Sequence, residues 1–415
     1  MSFKLYFPSV KRSRKTFNIT IIGDATSTIY YPKLITFGEL TYGNNDPESE
    51  MVLFPGNFKI KFYIDKDKYE ETLLFLYAKN TAGEQAKIIL EDVTGTTIER
   101  FTGFIIPSSI DSNKIDSTFS ATFFDNYQFL NLPNDVPNTG PRSFVDLAKY
   151  LVADEGLTVE MLTDAKFAVE WVTELYTGTL STLGGVHAAL TDVTYYRTRG
   201  DILKAMLNNM ASRAVIANGV LTIMPRYYSL ASTTSIHRSL LMEKPTIRLT
   251  DKKDGLRIRA YPTLGAVYDT YIWGTVEVDG DDNITNNAVD IVIPFSLETI
   301  GDPDDGYDLW ARSKLDTVYA PIIRETVQVN LIDGYTVVHS LVYLFGNLIW
   351  ANMSQALKIM ETSFRGADYS ITDFFEIDGY AGIFRAIKLT QNFNNETSKF
   401  VLIESVQDVT FISPT

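Results

Sequence analysis

The sequence predicts an α+β fold that is predominantly β and divided among several domains. Three observations predict it. Short segments rich in β-branched and aromatic residues recur along the chain and are cut by Gly, Asn, Asp and Pro. Few stretches carry helical spacing of apolar residues. At 415 residues the chain is also roughly two to three times a typical domain length. The expected organisation is a first β-barrel or sandwich domain at 1–130, a small helical α+β insert at 131–240, and a second β-rich domain at 241–415 with one helix at 308–320.

In chain order, 17–22 (FNITII), 34–42 (LITFGELTY) and 58–64 (FKIKFYI) read as strands. Residues 69–79 (YEETLLFLYAK) read as a helix: acids fill the first turn, and Leu73, Leu76 and Tyr77 fall at helical spacing. Residues 86–93, the turn Thr94-Gly95-Thr96 and 97–106 form a hairpin signal, since glycine supplies the positive φ that a tight turn needs. Residues 117–124 (STFSATFF) alternate as a further strand. Three prolines, three asparagines and a glycine at 131–141 mark a boundary. Beyond it, 142–154 is an amphipathic helix with Ser143 as N-cap, and 198–213 is a second helix. Strands at 214–216 and 220–225 flank the turn Asn218-Gly219. Strands are then expected at 246–249, 256–260, 271–277, 290–294, 325–331, 359–364, 374–377, 384–389 and 400–405. No repeat of 20–50 residues is present, which disfavours solenoids and propellers.

Composition excludes several kinds of chemistry. The chain has no cysteine, so disulfide scaffolds, thiolate zinc sites, iron–sulfur clusters and cysteine nucleophiles are ruled out. The first residues lack the basic stretch and apolar run of a secretory signal, from which synthesis in a cytoplasm is expected. The longest apolar stretch, 337–351, is interrupted by His339, Ser340, Gly346 and Asn347 and falls short of the roughly 20 residues needed to span a bilayer. It is expected to be a buried element, with no membrane span. A net charge of −14 argues against tight nucleic-acid binding, which needs basic groups to displace phosphate counterions. The acidic surplus either serves solubility or lines a channel that must not hold DNA.

Catalytic signatures are sparse. His187, His237 and His339 lie at no metal-ligand spacing, and neither a G-x-S-x-G elbow nor a phosphate-cradling glycine loop occurs. No catalytic residue, cofactor or metal is therefore expected. Two acidic clusters, Asp279, Asp281, Asp282 and Asp302, Asp304, Asp305, Asp308, read as polar turns, with calcium as the competing reading. One concentrated basic patch, Lys11, Arg12, Arg14 and Lys15, is either a solvated terminus or a docking element for an acidic face of a neighbouring subunit.

Three passages carry a resemblance. Residues 87–106 (KIILEDVTGTTIERFTGFII) look like a strand–turn–strand unit ending in F-x-G-F-I. Residues 119–132 followed by 143–157 look like a passage from a barrel into a helical insert. Residues 200–224 give a helix, then strand–Asn-Gly–strand. In this order they resemble the hub proteins of phage tails and related injection machines, notably those of phages of Bacteroidetes, over about the first 225 residues. The resemblance implies two tail-tube-like barrel modules packed into a ring around an open DNA channel. It implies a trimer in preference to a hexamer, placed in the virion tail between the tail tube and a spike, fibre or other baseplate protein, with DNA passing unbound. Such a module needs edge strands and aromatic surface, one use for 25 Phe and 23 Tyr. The alternative from another class is a glycan-binding or glycoside-hydrolysing tail module. It would show a solvent-lined cleft with two carboxylates beside Trp171, Trp273, Trp310 or Trp350.

Overall fold

A computed structural model of the chain describes residues 3–23, 28–43, 53–79, 85–125, 132–133, 144–153, 157–161, 198–200, 203–204, 207, 212–217, 219–226, 233–260, 269–293, 326–330 and 336–406. The first region contributes strands β1 (Phe3–Arg12), β2 (Lys15–Ile22), β3 (Thr28–Tyr30), β4 (Lys33–Gly43), β5 (Leu53–Phe54) and β6 (Gly56–Tyr63), then helix α1 (Tyr69–Tyr77). Strands β7 (Lys87–Asp92), β8 (Ile98–Ile105), β9 (Asp111–Asn113) and β10 (Thr118–Asp125) complete it. The middle region contributes helix α2 (Phe144–Val152) and strands β11 (Thr158–Met161), β12 (Ser212–Ala217) and β13 (Val220–Pro225). The last region holds β14 (Thr234–Ile236), β15 (Thr246–Leu249), β16 (Gly255–Ala260), β17 (Asp269–Gly274), β18 (Ala288–Ile293), β19 (Thr326–Asn330) and β20 (Thr336–Ser340). After helix α3 (Leu341–Met353) come β21 (Lys358–Arg365), β22 (Phe374–Ile377), β23 (Tyr380–Asn392) and β24 (Thr397–Glu404). The fold is α+β and predominantly β, as the sequence predicts.

Fifteen of these strands form one sheet, in the order β15-β21-β24-β23-β4-β6-β10-β8-β7-β2-β1-β3, with β22 and β14 branching from β23 and β9 from β10. Alternation builds it: in β6, Phe58, Ile60 and Phe62 are buried while Lys59 and Lys61 face out. The inward faces of both β-rich regions contribute to a single apolar core, running from Leu5, Phe17 and Phe62 to Phe375, Phe393 and Leu402. On the other face of β21 and β24, Ile359, Val401 and Ile403 form a smaller cluster with Leu357 and Val406, so these two strands are covered on both sides.

Strand β1 is absent from the sequence expectations. Pro8 interrupts its pattern, and the structure accommodates it with a bulge between Phe7 and Val10 and with Ser9 at φ 51°. The helix expected over 198–213 is helical at 199–200, 203–204 and 207, but ends earlier than predicted. Ser212 and Arg213 instead open β12, because they pair with Pro225 and Met224 across the Asn-Gly hairpin. This hairpin forms a four-stranded sheet in the order β11-β13-β12-β5, which takes β5 from the first region. The apolar stretch at 337–351 divides into β20 and the start of α3. The helix expected at 308–320 lies outside the described residues.

Candidate assembly interface

The two β-rich regions meet at the pairing of β4 with β23, where Lys388, Leu389, Thr390 and Gln391 oppose Gly43, Tyr42, Thr41 and Leu40. An antiparallel ladder satisfies the backbone groups of both edges, so two half-sheets become one. Side chains fasten the ladder at its ends. Asn392 Nδ2 donates to Glu39 Oε1 at 2.8 Å, and Asn394 Nδ2 donates to the Phe37 carbonyl at 2.9 Å. Beneath, Phe393 is fully buried, with its ring 5.0 Å from Phe17 and 5.9 Å from Phe37. Such aromatic contacts each add about 0.5–1.5 kcal/mol beyond area burial.

The basic patch sits at this junction, on the β1–β2 turn, and the structure divides it. Lys15 Nζ and Arg100 Nη2 each lie 2.9 Å from Asp92 Oδ2, and both also reach Asp368 of the second region. Burial alone would raise the Asp92 carboxyl; hydrogen bonds from Thr94, Lys15 and Arg100 outweigh it and hold the group well below the usual carboxylate range. The Arg14 backbone N–H donates to Glu396 Oε1 at 2.7 Å. The Arg12 guanidinium lies over the Phe37 ring at 5.4 Å. Lys11 and Arg14 remain exposed. Part of the patch thus ties together the two halves of its own chain.

The two ends of the long sheet differ. At one end every residue of β15 (Thr-Ile-Arg-Leu) is exposed; Ile247 is 42% and Leu249 60% accessible. Strand β15 pairs with β21 on one side and has no partner on the other among the described residues. At the other end β3 covers Phe3–Leu5 of β1, and Ile29 and Tyr31 stand exposed beside it. The rest of the β1 edge is blunted by Pro8, the bulge and basic side chains, devices that discourage uncontrolled pairing.

Elsewhere, the Asp279 carboxylate accepts the backbone N–H groups of Asp281 and Asn283, and Asp282 pairs with Arg257 and Arg259. These acids form a polar turn, and no group of three potential metal ligands occurs among the described residues. Asp302–Asp308, Trp171, Trp310 and His187 lie outside the described residues. His237 is exposed, its Nε2 3.8 Å from Asp378 Oδ2, beside a cavity of about 540 Å³ that also involves Glu376 and Tyr380. His339 lies in β20 opposite Val327. Trp273 is buried under α3, whereas Trp350 lines an open cleft. No helix among the described residues is long and apolar enough to cross a membrane.

No family model matches the chain, and no curated protein matches it. Among solved structures it is similar to the 43 kDa tail protein of prophage MuSo2 from Shewanella oneidensis, at 10% identity and a TM-score of 0.47, covering 91% of this chain and 99% of that one. A tail protein from Neisseria meningitidis MC58 gives 9% identity and a TM-score of 0.48, covering 89% and 93%. Prophage tail protein gp18 from Listeria monocytogenes EGD-e gives 8% and 0.44, covering 91% of both chains. At these values no residue role passes from them to this chain.

Proposed function

We propose that this chain is a non-enzymatic structural subunit of a phage-type tail, at the hub or baseplate, and that copies associate edge to edge into a ring around a channel for DNA. One observation carries the reading. The chain already joins its two β-rich regions by pairing strand edges, β4 with β23, over a shared aromatic core, and leaves the outer edge of β15 at the end of the same sheet without a partner among the described residues. A surface built this way completes itself against another copy or a neighbouring tail protein. Two modules per chain make a trimer the natural closure for a six-module ring, and Lys11 and Arg14 are the members of the basic patch left to meet an acidic neighbour. The role agrees with the resemblance drawn from the sequence: a virion component that joins the tail tube to the distal tip or spike.

Mass measurement of the purified assembly tests this. A species of three times the 46.7 kDa protomer is expected, with a hollow ring in electron-microscopic class averages. A protomer that stays monomeric at high concentration overturns the proposal. The glycan-binding alternative has a specific observation of its own, the cleft beside Trp350, and the two roles are compatible.

A further inference from the structure

The turn before β16, the end of β17, the hairpin that follows it and the C-terminal end of α3 enclose a cleft of about 410 Å³, a volume that suits a small ligand. It is lined by Lys252, Lys253, Asp254, Thr275, Glu277, Asn286, Trp350 and Ser354, of which the first five to bear on recognition are the two lysines, the two acids and the indole. Its walls are fixed by backbone bonds between separate segments. The Asp254 N–H donates to the Asn287 carbonyl at 2.8 Å, the Thr275 N–H to the Asp254 carbonyl at 2.8 Å, and the Lys253 N–H to the Met353 carbonyl at 2.8 Å. Asn286 Nδ2 donates to the Thr275 carbonyl at 2.9 Å, while its Oδ1 accepts from the Glu277 N–H at 3.1 Å.

The indole of Trp350 is positioned by a glycine. A Cβ on Gly274 would fall 2.5 Å from Trp350 Cη2, and Gly274 has φ +70°, so the close approach needs a residue without a side chain. Trp350 is half-buried there, its six-membered ring packed at one place on backbone. Around it the side chains of Lys252, Asp254 and Glu277 are exposed and make no hydrogen bond within the described residues, which leaves two acceptors and a donor facing the cleft. Lys253 is held by Asp251 and Asn287.

Resting on the glycan-binding reading of this cleft, we infer that it binds a neutral oligosaccharide. The Trp350 indole lines the cleft as an apolar surface for the C–H side of a sugar ring, and the carboxylates of Asp254 and Glu277 beside it take up hydroxyl pairs through charge-assisted hydrogen bonds. With Lys253 paired to Asp251, the remaining charges of the lining are Lys252 against Asp254 and Glu277, an acidic surplus that disfavours an anionic ligand.

Saturation-transfer NMR on the full chain tests the inference with maltotriose, cellotriose, triacetylchitotriose and sialyllactose as probes. At least one neutral trisaccharide is expected to bind, and Asp254→Asn and Glu277→Gln are each expected to weaken it about tenfold, the loss of one charge-assisted hydrogen bond. Both positions are exposed, so thermal melting should be unchanged. Absence of binding by every neutral probe, equal or stronger binding of sialyllactose, or affinity unaltered in both variants overturns it. Assembly mass measured on the same samples separates this result from the structural role, because neither substitution touches a sheet edge.

Discussion

At the residue scale, Asp92 shows how one side chain can set the acid limit of the fold. Its carboxylate is 5% exposed and accepts from Lys15, Arg100 and Thr94, while Asp368, bridged by the same two cations, is 62% exposed and well screened. The folded-state pKa lies below the ordinary 3.8, so the group contributes stability that is fully present above about pH 4 and is lost as pH falls below it. Asp92→Asn is expected to lower stability at pH 7 by about 1–3 kcal/mol, since it leaves two cations with one exposed partner. Denaturant melts between pH 2 and 7 check this: the wild-type curve should fall in acid more steeply than that of the variant, and parallel curves would contradict it. Little of this is legible in sequence. Lys15 stands out as part of a basic run, but its partners Asp92 and Asp368 are 77 and 353 positions away, and nothing local marks them. Arg213 repeats the lesson. It reads as the end of a helix, yet it is buried in β12, where desolvation, with Arg385 and Arg226 nearby, pushes its guanidinium down to about 9.

At the scale of elements, most strands were readable because alternation is a local signal: β2, β4, β6, β7, β8 and β10 lie within a few residues of their predicted bounds. Strand β1 was not, because Pro8 and the basic run mimic a solvated terminus, and the bulge that rescues the register is a product of pairing with β2. Helix α3 was legible as a buried apolar stretch but not as a helix, since an element apolar on all sides has no periodicity to read. Its packing depends on Gly346. A Cβ there would lie 2.1 Å from Cη2 of Trp273, a rigid ring that is 1% exposed and cannot withdraw. Gly346→Ala, which would ordinarily favour a helix, is therefore expected to destabilise by about 1–3 kcal/mol through overpacking. Gly95→Ala, with nothing within 4 Å and without the positive φ that the turn sequence predicts there, should stay within about 0.5 kcal/mol of the parent. Thermal melts of the two variants side by side decide the matter, and a Gly346→Ala protein as stable as the parent would show that α3 does not seat on Trp273.

At the scale of the whole molecule, the sequence shows two β-rich regions but not that they are one sheet. Thr41 and Thr390 touch across β4 and β23 with 349 positions between them, and register over that distance is set by shared burial of Phe17, Phe37 and Phe393, which no local window contains. The exposed apolar edge at β15 is the surface that the proposed assembly would use for its next joint. If copies add through that edge, placing charge on it should stop assembly without unfolding the protomer, as natural edge strands do. Ile247→Lys combined with Leu249→Lys alters two side chains already 42% and 60% exposed, so the monomer should melt within about 0.5 kcal/mol of the parent. Light scattering or native mass measurement should then find protomers where the parent forms rings. Lys11→Ser with Arg14→Ser, on the β1–β2 turn, should instead slow assembly at low salt and differ little from the parent at high salt, where the parent's own charges are screened, since exposed charges steer association more than they hold it. Assembly that survives the β15 double substitution would place the joint on another surface and leave the exposed β15 edge without a role in it.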